Sequence, residues 1–158
     1  MTTLYLVRHG ETEWNAGGRF QGQRDIPLNE AGRQQAARAA AALAEVPFTA
    51  IFTSDLARAA ETARIVAAPH GLAPVPDLRL REASFGAWEG MTTPEIGRQW
   101  PDLLAAWQAD TVHTVPPGGE SMAAVQARMT AFTRELLVRY PDETLGLIGH
   151  GGALRAVV

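Results

Sequence analysis

Arg8-His9-Gly10-Glu11-Thr12 follows the apolar run Leu4-Tyr5-Leu6-Val7. The stretch sets a guanidinium beside an imidazole where a strand is predicted to end. In open α/β sheets, ligands bind at the carboxyl ends of strands. Arginine presents a planar, permanently charged fork that suits oxyanions. Histidine titrates near neutral pH and is a nucleophile when unprotonated. Gly10 allows a tight turn and a close approach to a ligand. The same grammar returns at Ile148-Gly149-His150-Gly151-Gly152. Parallel strands end on one edge of a sheet, so if these two are neighbours both imidazoles face one crevice. The glycines after His150 leave backbone N–H groups at a predicted helix N-terminus, where anions bind. Arg58, early in the helix after a predicted strand at 50–53, can reach the same edge. Its alternative is a solvated arginine paired with Asp55 or Glu61. Any one of these pieces alone is more simply a structural residue. Their recurrence predicts a site that holds a phosphate and attacks it.

Such a site needs strands that end side by side, and the hydrophobic pattern supplies strands alternating with helices. Residues 3–7 and 145–149 read as short buried strands without clear alternation, as parallel strands do. Asn29 caps a predicted helix to about residue 45 with a stripe largely of alanine. Ser54 caps another to about residue 67, with Asp55 suiting its dipole. Residues 15–27 and 69–76 read as loops, 77–81 as an extended piece, and 91–119 as an irregular region with short helices. Met122, Val125, Met129, Phe132 and Leu136 recur at three- and four-residue steps, a core-facing stripe on a helix from about 120 to 140. Pro141 stops it. The expected class is α/β: a three-layer α/β/α sandwich with a mostly parallel central sheet, in a single domain over residues 1–158.

Composition narrows the chemistry. Hydrophobic residues make up 46% and charged residues 20% of 158, ordinary values for a soluble domain. The formal net charge of −3 argues against a nucleic-acid partner, and any attraction for an anion must come from local cations. There is no cysteine, which excludes disulfides and thiolate nucleophiles. All 14 basic residues are arginine, so no lysine Schiff base or lysine phosphate clamp is available. No apolar run is long enough to cross a bilayer, and no basic-then-apolar leader opens the chain, so no membrane partner and a cytoplasmic location are expected. No compact cluster of His, Asp and Glu suggests a metal.

Leu6-Val7-Arg8-His9-Gly10-Glu11-Thr12-Glu13-Trp14-Asn15 resembles the signature of the histidine phosphatase superfamily, the phosphoglycerate mutase-like proteins. The resemblance continues through Ser54-Asp55-Leu56-Ala57-Arg58, Leu80-Arg81-Glu82-Ala83-Ser84-Phe85-Gly86, Pro117-Gly118-Gly119-Glu120-Ser121 and Gly149-His150-Gly151-Gly152. It implies a phosphoglycerate mutase-like fold and assigns roles by position. His9 would accept the phosphoryl group. Arg8, Arg58 and His150, as two guanidiniums and one imidazolium, would bind the phosphate oxygens. Glu82 would give a proton to the leaving alcohol, a task that burial or the adjacent phosphate favours by protonating it. Asn15, Gln21, Gly22 and Gly151 would line the same pocket. No metal or other cofactor is implied.

Mutases of this superfamily usually follow the acidic residue with Arg-His-Tyr-Gly and supply lysine and paired arginines. Here Glu82 is followed by Ala83-Ser84-Phe85-Gly86. That stretch is closer to the broad-specificity and alpha-ribazole phosphatases, so the expectation is hydrolysis of a small phosphorylated metabolite. The alternatives are a cofactor-dependent phosphoglycerate mutase and, in another class, an inactive phosphate-binding regulator or scaffold. The chain ends shortly after His150, where relatives continue for some tens of residues. The expectation is therefore a domain lacking the usual C-terminal segment. Oligomeric state is left open, a homodimer being one option. His70 reads as a surface loop residue, His113 as surface or substrate entrance, and Arg19 and Arg24 as anion attractors or solvated loop residues.

Overall fold

The computed structural model describes residues 1–158. Strand β1 (Thr3–Arg8) leads through a short helix α1 (Glu13–Ala16) to α2 (Glu30–Leu43). Strand β2 (Ala50–Thr53), helix α3 (Ala57–Ala67) and a two-residue strand β3 (Val75–Pro76) follow. Helices α4 (Thr93–Gln99), α5 (Pro101–Ala109) and α6 (Met122–Arg139) precede strand β4 (Thr144–Gly149) and helix α7 (Gly151–Arg155). The strands lie in the order β1-β4-β2-β3, and every pairing is parallel.

Alternation along β4 explains the three layers. Leu145 and Leu147 join Val125, Met129, Phe132 and Leu136 of α6 and Ala153 and Leu154 of α7 on one face. Ile148 points the other way, to Ala63, Val66 and Ala67 of α3, with Ala39 and Leu43 of α2 alongside. A sheet covered on both faces is what parallel pairing requires. A smaller cluster of Trp88, Ile96 and Leu104 ties α4 and α5 to the two loops carrying Phe20 and Phe85. No helix is long and apolar enough to cross a membrane.

Several local expectations change. Strand β1 is half-buried, because it pairs only with β4 at the sheet edge. The start of the expected 15–27 loop belongs to α1, where the Thr12 hydroxyl accepts from Asn15 N in a capping box. Ser54 does not cap α3. That helix starts after Leu56, and its first N–H, on Ala57, donates to Asp25 Oδ1 at 2.7 Å. A carboxylate 32 residues away in sequence thus does the capping. Asp55 turns instead to Arg81. Residues 78–80 form a 3₁₀ turn rather than an extended piece, and the 69–76 loop contains β3, where Pro76 is tolerated because the strand lies at an edge. Gly10 makes a close approach to a helix: a Cβ there would run into the backbone of Gly32 in α2.

Candidate active site

Pairing of β1 with β4 in the register Arg8↔Gly149 carries both chains off the sheet at one edge. His9 N donates to Gly149 O at 2.9 Å, extending that register by one residue. The imidazoles of His9 and His150 consequently lie with ring centroids 5.1 Å apart. His9 Nδ1 is 2.6 Å from Gly10 O. A carbonyl only accepts, so Nδ1 carries the proton and the lone pair is left on Nε2. Gly10 N in turn donates to Thr62 Oγ1, and Thr62 Oγ1 to Arg58 O, which ties the turn to α3.

Burial dominates the charge state of both histidines. It drives His9 down to about 4, assisted by Arg58 and Arg8 and opposed by the Gly10 carbonyl. His150 is fully buried, with Nε2 2.9 Å from Ser54 Oγ. Desolvation, with Arg58 and His9 next, holds it well below the ordinary histidine value. Both imidazoles are therefore neutral at pH 7. The fixed positive charge at the site therefore comes from the arginines.

Arg58 is 1% exposed. It pairs with neither Asp55 nor Glu61, which hold Arg81 and Arg33 instead. Its Nη1 donates to Arg24 O and its Nη2 to Gly22 O, each at 2.7 Å. Burial lowers the guanidinium to about 10, against the pull of Glu82, Asp25 and Glu89, so it stays a cation. Its Nε is buried without a hydrogen-bond partner, and so is His150 Nδ1. Two orphaned nitrogens at one site are what a cradle for oxyanion atoms requires.

Glu82 occupies the helix end that the sequence offers to a phosphate. Its carboxylate accepts from Gly152 N at 2.9 Å and Ala153 N at 3.0 Å, and from Ala83 N at 2.9 Å. A Cβ at Gly152 would come within 2.5 Å of Glu82 Oε1, so the carboxylate keeps this position only beside a glycine. Asn15 and Gln21 are oriented through Thr12: Thr12 N donates to Asn15 Oδ1 and Thr12 Oγ1 to Gln21 Oε1.

A pocket of about 190 Å³ is lined by Arg8, His9, Asn15, Gln21, Gly22, Arg58, Glu82 and Gly151. Eight of the nine residues singled out from sequence are thus brought together. The ninth, His150, sits behind His9 with no exposed surface. Arg19, Phe85, Gly152 and Arg155 complete the wall. A second pocket of about 450 Å³ shares Glu82, Phe85, Gly152 and Arg155 and runs out along Trp107, Val112 and Met122.

Arg19 reaches the pocket rim while donating to Gly90 O and Glu95. Arg24 is exposed and approaches Glu89 at 3.5 Å. His113 is exposed beside Asp110 and lines neither pocket. His70 is half-buried against the Phe48 ring rather than free on the surface. Sequence reasoning gave no site role to Arg155, Ser54 or Thr62, and it gave Gly152 to an anion rather than to the Glu82 carboxylate. Ser54 and Gly152 lie inside motifs it quoted. Arg155 and Thr62 carried no signal beyond falling one turn away on helices that reach the crevice.

The profile of the histidine phosphatase superfamily, branch 1, matches residues 4–158. The glucosyl-3-phosphoglycerate phosphatase of Mycobacterium tuberculosis is 38% identical over 98% of this chain and 72% of its own length. A probable phosphoglycerate mutase, GpmB of Cronobacter sakazakii, is 39% identical over 100% of this chain and 74% of its own. The solved structure of Bacillus stearothermophilus YhfR superposes with a TM-score of 0.93 at 39% identity, covering 99% of this chain and 78% of that one. Sequence, sheet order and the paired histidines at the strand ends agree, and the chain belongs to branch 1 of the histidine phosphatase superfamily.

Proposed function

We propose that residues 1–158 act as one domain that hydrolyses phosphomonoesters of small metabolites through a phosphohistidine formed on His9 Nε2. The observation that carries this reading is the His9 Nδ1–H bond to Gly10 O, which leaves the Nε2 lone pair on a neutral ring beside two arginines. In the first step Nε2 attacks phosphorus, the bond from phosphorus to the alcohol oxygen breaks, and Glu82 gives that oxygen a proton. Arg8, Arg58 and His150 bind the equatorial oxygens, with Arg58 Nε and His150 Nδ1 as available buried partners. In the second step water attacks the phosphoryl group, Glu82 accepts a proton from it, and inorganic phosphate leaves with His9 restored.

Glu82 serves both steps from one place. Its three backbone donors hold the carboxyl in one place for the proton it gives and the proton it takes back. The alcohol half extends over Phe85, Trp107, Val112 and Met122, a wall unlike one built for a compact phosphoglycerate with its second anionic group. The absence of lysine and of Arg-His after Glu82 supports hydrolysis over mutase chemistry in the same way.

The test is release of 4-nitrophenol from its phosphate in the presence of EDTA. Turnover by the wild type that falls by about 10³-fold or more in His9→Ala supports the reading; equal rates overturn it. Conversion of 3-phosphoglycerate to 2-phosphoglycerate with catalytic 2,3-bisphosphoglycerate, faster than phosphate release, would replace it with the mutase.

A further inference from the structure

Glu120 belongs to the Pro117-Gly118-Gly119-Glu120-Ser121 stretch, which lines neither pocket. Its carboxylate faces Arg128, two turns along α6, and the guanidinium of Arg128 is engaged on every nitrogen. Nε donates to Glu120 Oε1 and Nη2 to Glu120 Oε2, each at 3.1 Å. Nη1 donates to Arg79 O at 2.5 Å and Arg81 O at 2.7 Å, and Nη2 also to Glu82 O at 3.1 Å. Glu120 Oε2 further accepts from Ser84 N at 3.1 Å. Gln23 Nε2 adds a bond to Glu82 O at 3.1 Å.

Arg81 to Ser84 lie outside every helix and strand, so the backbone of this segment is held largely by side chains. An ion pair with Glu120 alone would be enough to fasten α6 to the turn before it. The three carbonyls gripped in addition belong to one short segment, and one of them is that of Glu82. On the opposite side the Glu82 carboxylate docks on Gly152 and Ala153. Glu82 is thus clamped from its main chain by α6 and from its side chain by α7.

We infer that Arg128, held by Glu120, is a positioning residue for Glu82: it fixes the main chain from which the proton donor reaches the leaving oxygen. This rests on the reading of Glu82 as proton donor. Only leaving groups that need a proton should sense the clamp. 4-Nitrophenolate leaves without one, whereas the alkoxide of 2-glycerol phosphate does not. The parameter to compare is kcat/KM, which covers phosphoryl transfer to His9 and excludes later hydrolysis of the phosphoenzyme.

Glu82→Gln should lose on the order of 10²-fold on the glycerol ester and far less on the nitrophenyl ester. Arg128→Met should repeat that pattern, with a loss of about tenfold or more confined to the glycerol ester. Arg128→Lys, which keeps the charge without the fork, should fall between. A selective loss in Glu82→Gln combined with equal losses on both esters, or none, in Arg128→Met overturns the positioning role and leaves Glu82 as donor. Equal losses in Glu82→Gln overturn both. If Arg128→Met does not fold, Glu120→Gln and Arg128→Lys read the same ratio between the two esters.

Discussion

His9 and His150 are kept neutral by what packs over them, and that has a consequence beyond catalysis. Burial holds both below the ordinary histidine value of 6.5, His9 at about 4. An unfolded chain binds those protons more readily than the folded one, so stability is full above about pH 6.5 and falls as the pH drops toward 4. His9 alone contributes up to about 3 kcal/mol across that window, and His150 adds in the same direction. Asp55 and Asp77, held below the usual carboxylate range by Arg81 and Arg79, lose their share only at lower pH. Urea unfolding at pH 7.5, 6 and 5 should show a steady decline in midpoint. A flat or rising midpoint over that range would contradict the buried neutral pair. At this scale residue identity was legible and charge state was not. His9, Arg8, Arg58 and Glu82 stood in recognisable stretches, but the lowered charge preference of His150 comes from burial in the core and from Arg58, which no local window displays.

Helix α7 shows how an element sets a side chain. It is only five residues long, and its second and third N–H groups, on Gly152 and Ala153, are taken by Glu82. Gly152→Ala puts a methyl 2.5 Å from Glu82 Oε1 while improving helix propensity. Folding should therefore be retained while kcat/KM for an alkyl phosphate falls on the order of 10²-fold through displacement of the carboxyl. Wild-type kcat/KM in that variant would remove Glu82 from the place assigned to it. The helices with strong local signals, α2 after Asn29 and α6 before Pro141, were readable from the chain. The start of α3 was not, because its first N–H is satisfied by Asp25 from a distant loop. Strand β3 was missed because two exposed residues ending in proline carry no strand pattern.

Across the whole molecule, the alternation of strands and helices in sequence implied a parallel sheet between two helical layers. It did not fix the strand order. Placing β4 between β1 and β2 is a matter of packing: its Leu145, Leu147 and Ile148 are fully buried in the two cores, whereas Leu4, Leu6 and Val7 of β1 pack on the same cores only partly buried. That placement makes neighbours of the strands that end in His9 and His150, and everything proposed for the site depends on it. The central claim is that His9 Nε2 carries the phosphoryl group between alcohol and water. Its most direct measurement is a rapid alkaline quench of the enzyme turning over an alkyl phosphate, followed by mass spectrometry of the peptides. The account predicts one phosphoryl group on the peptide containing His9, stable in base and lost in acid, and absent from His9→Ala. Turnover with no covalent phosphoryl enzyme, or with the label on another residue, would contradict it.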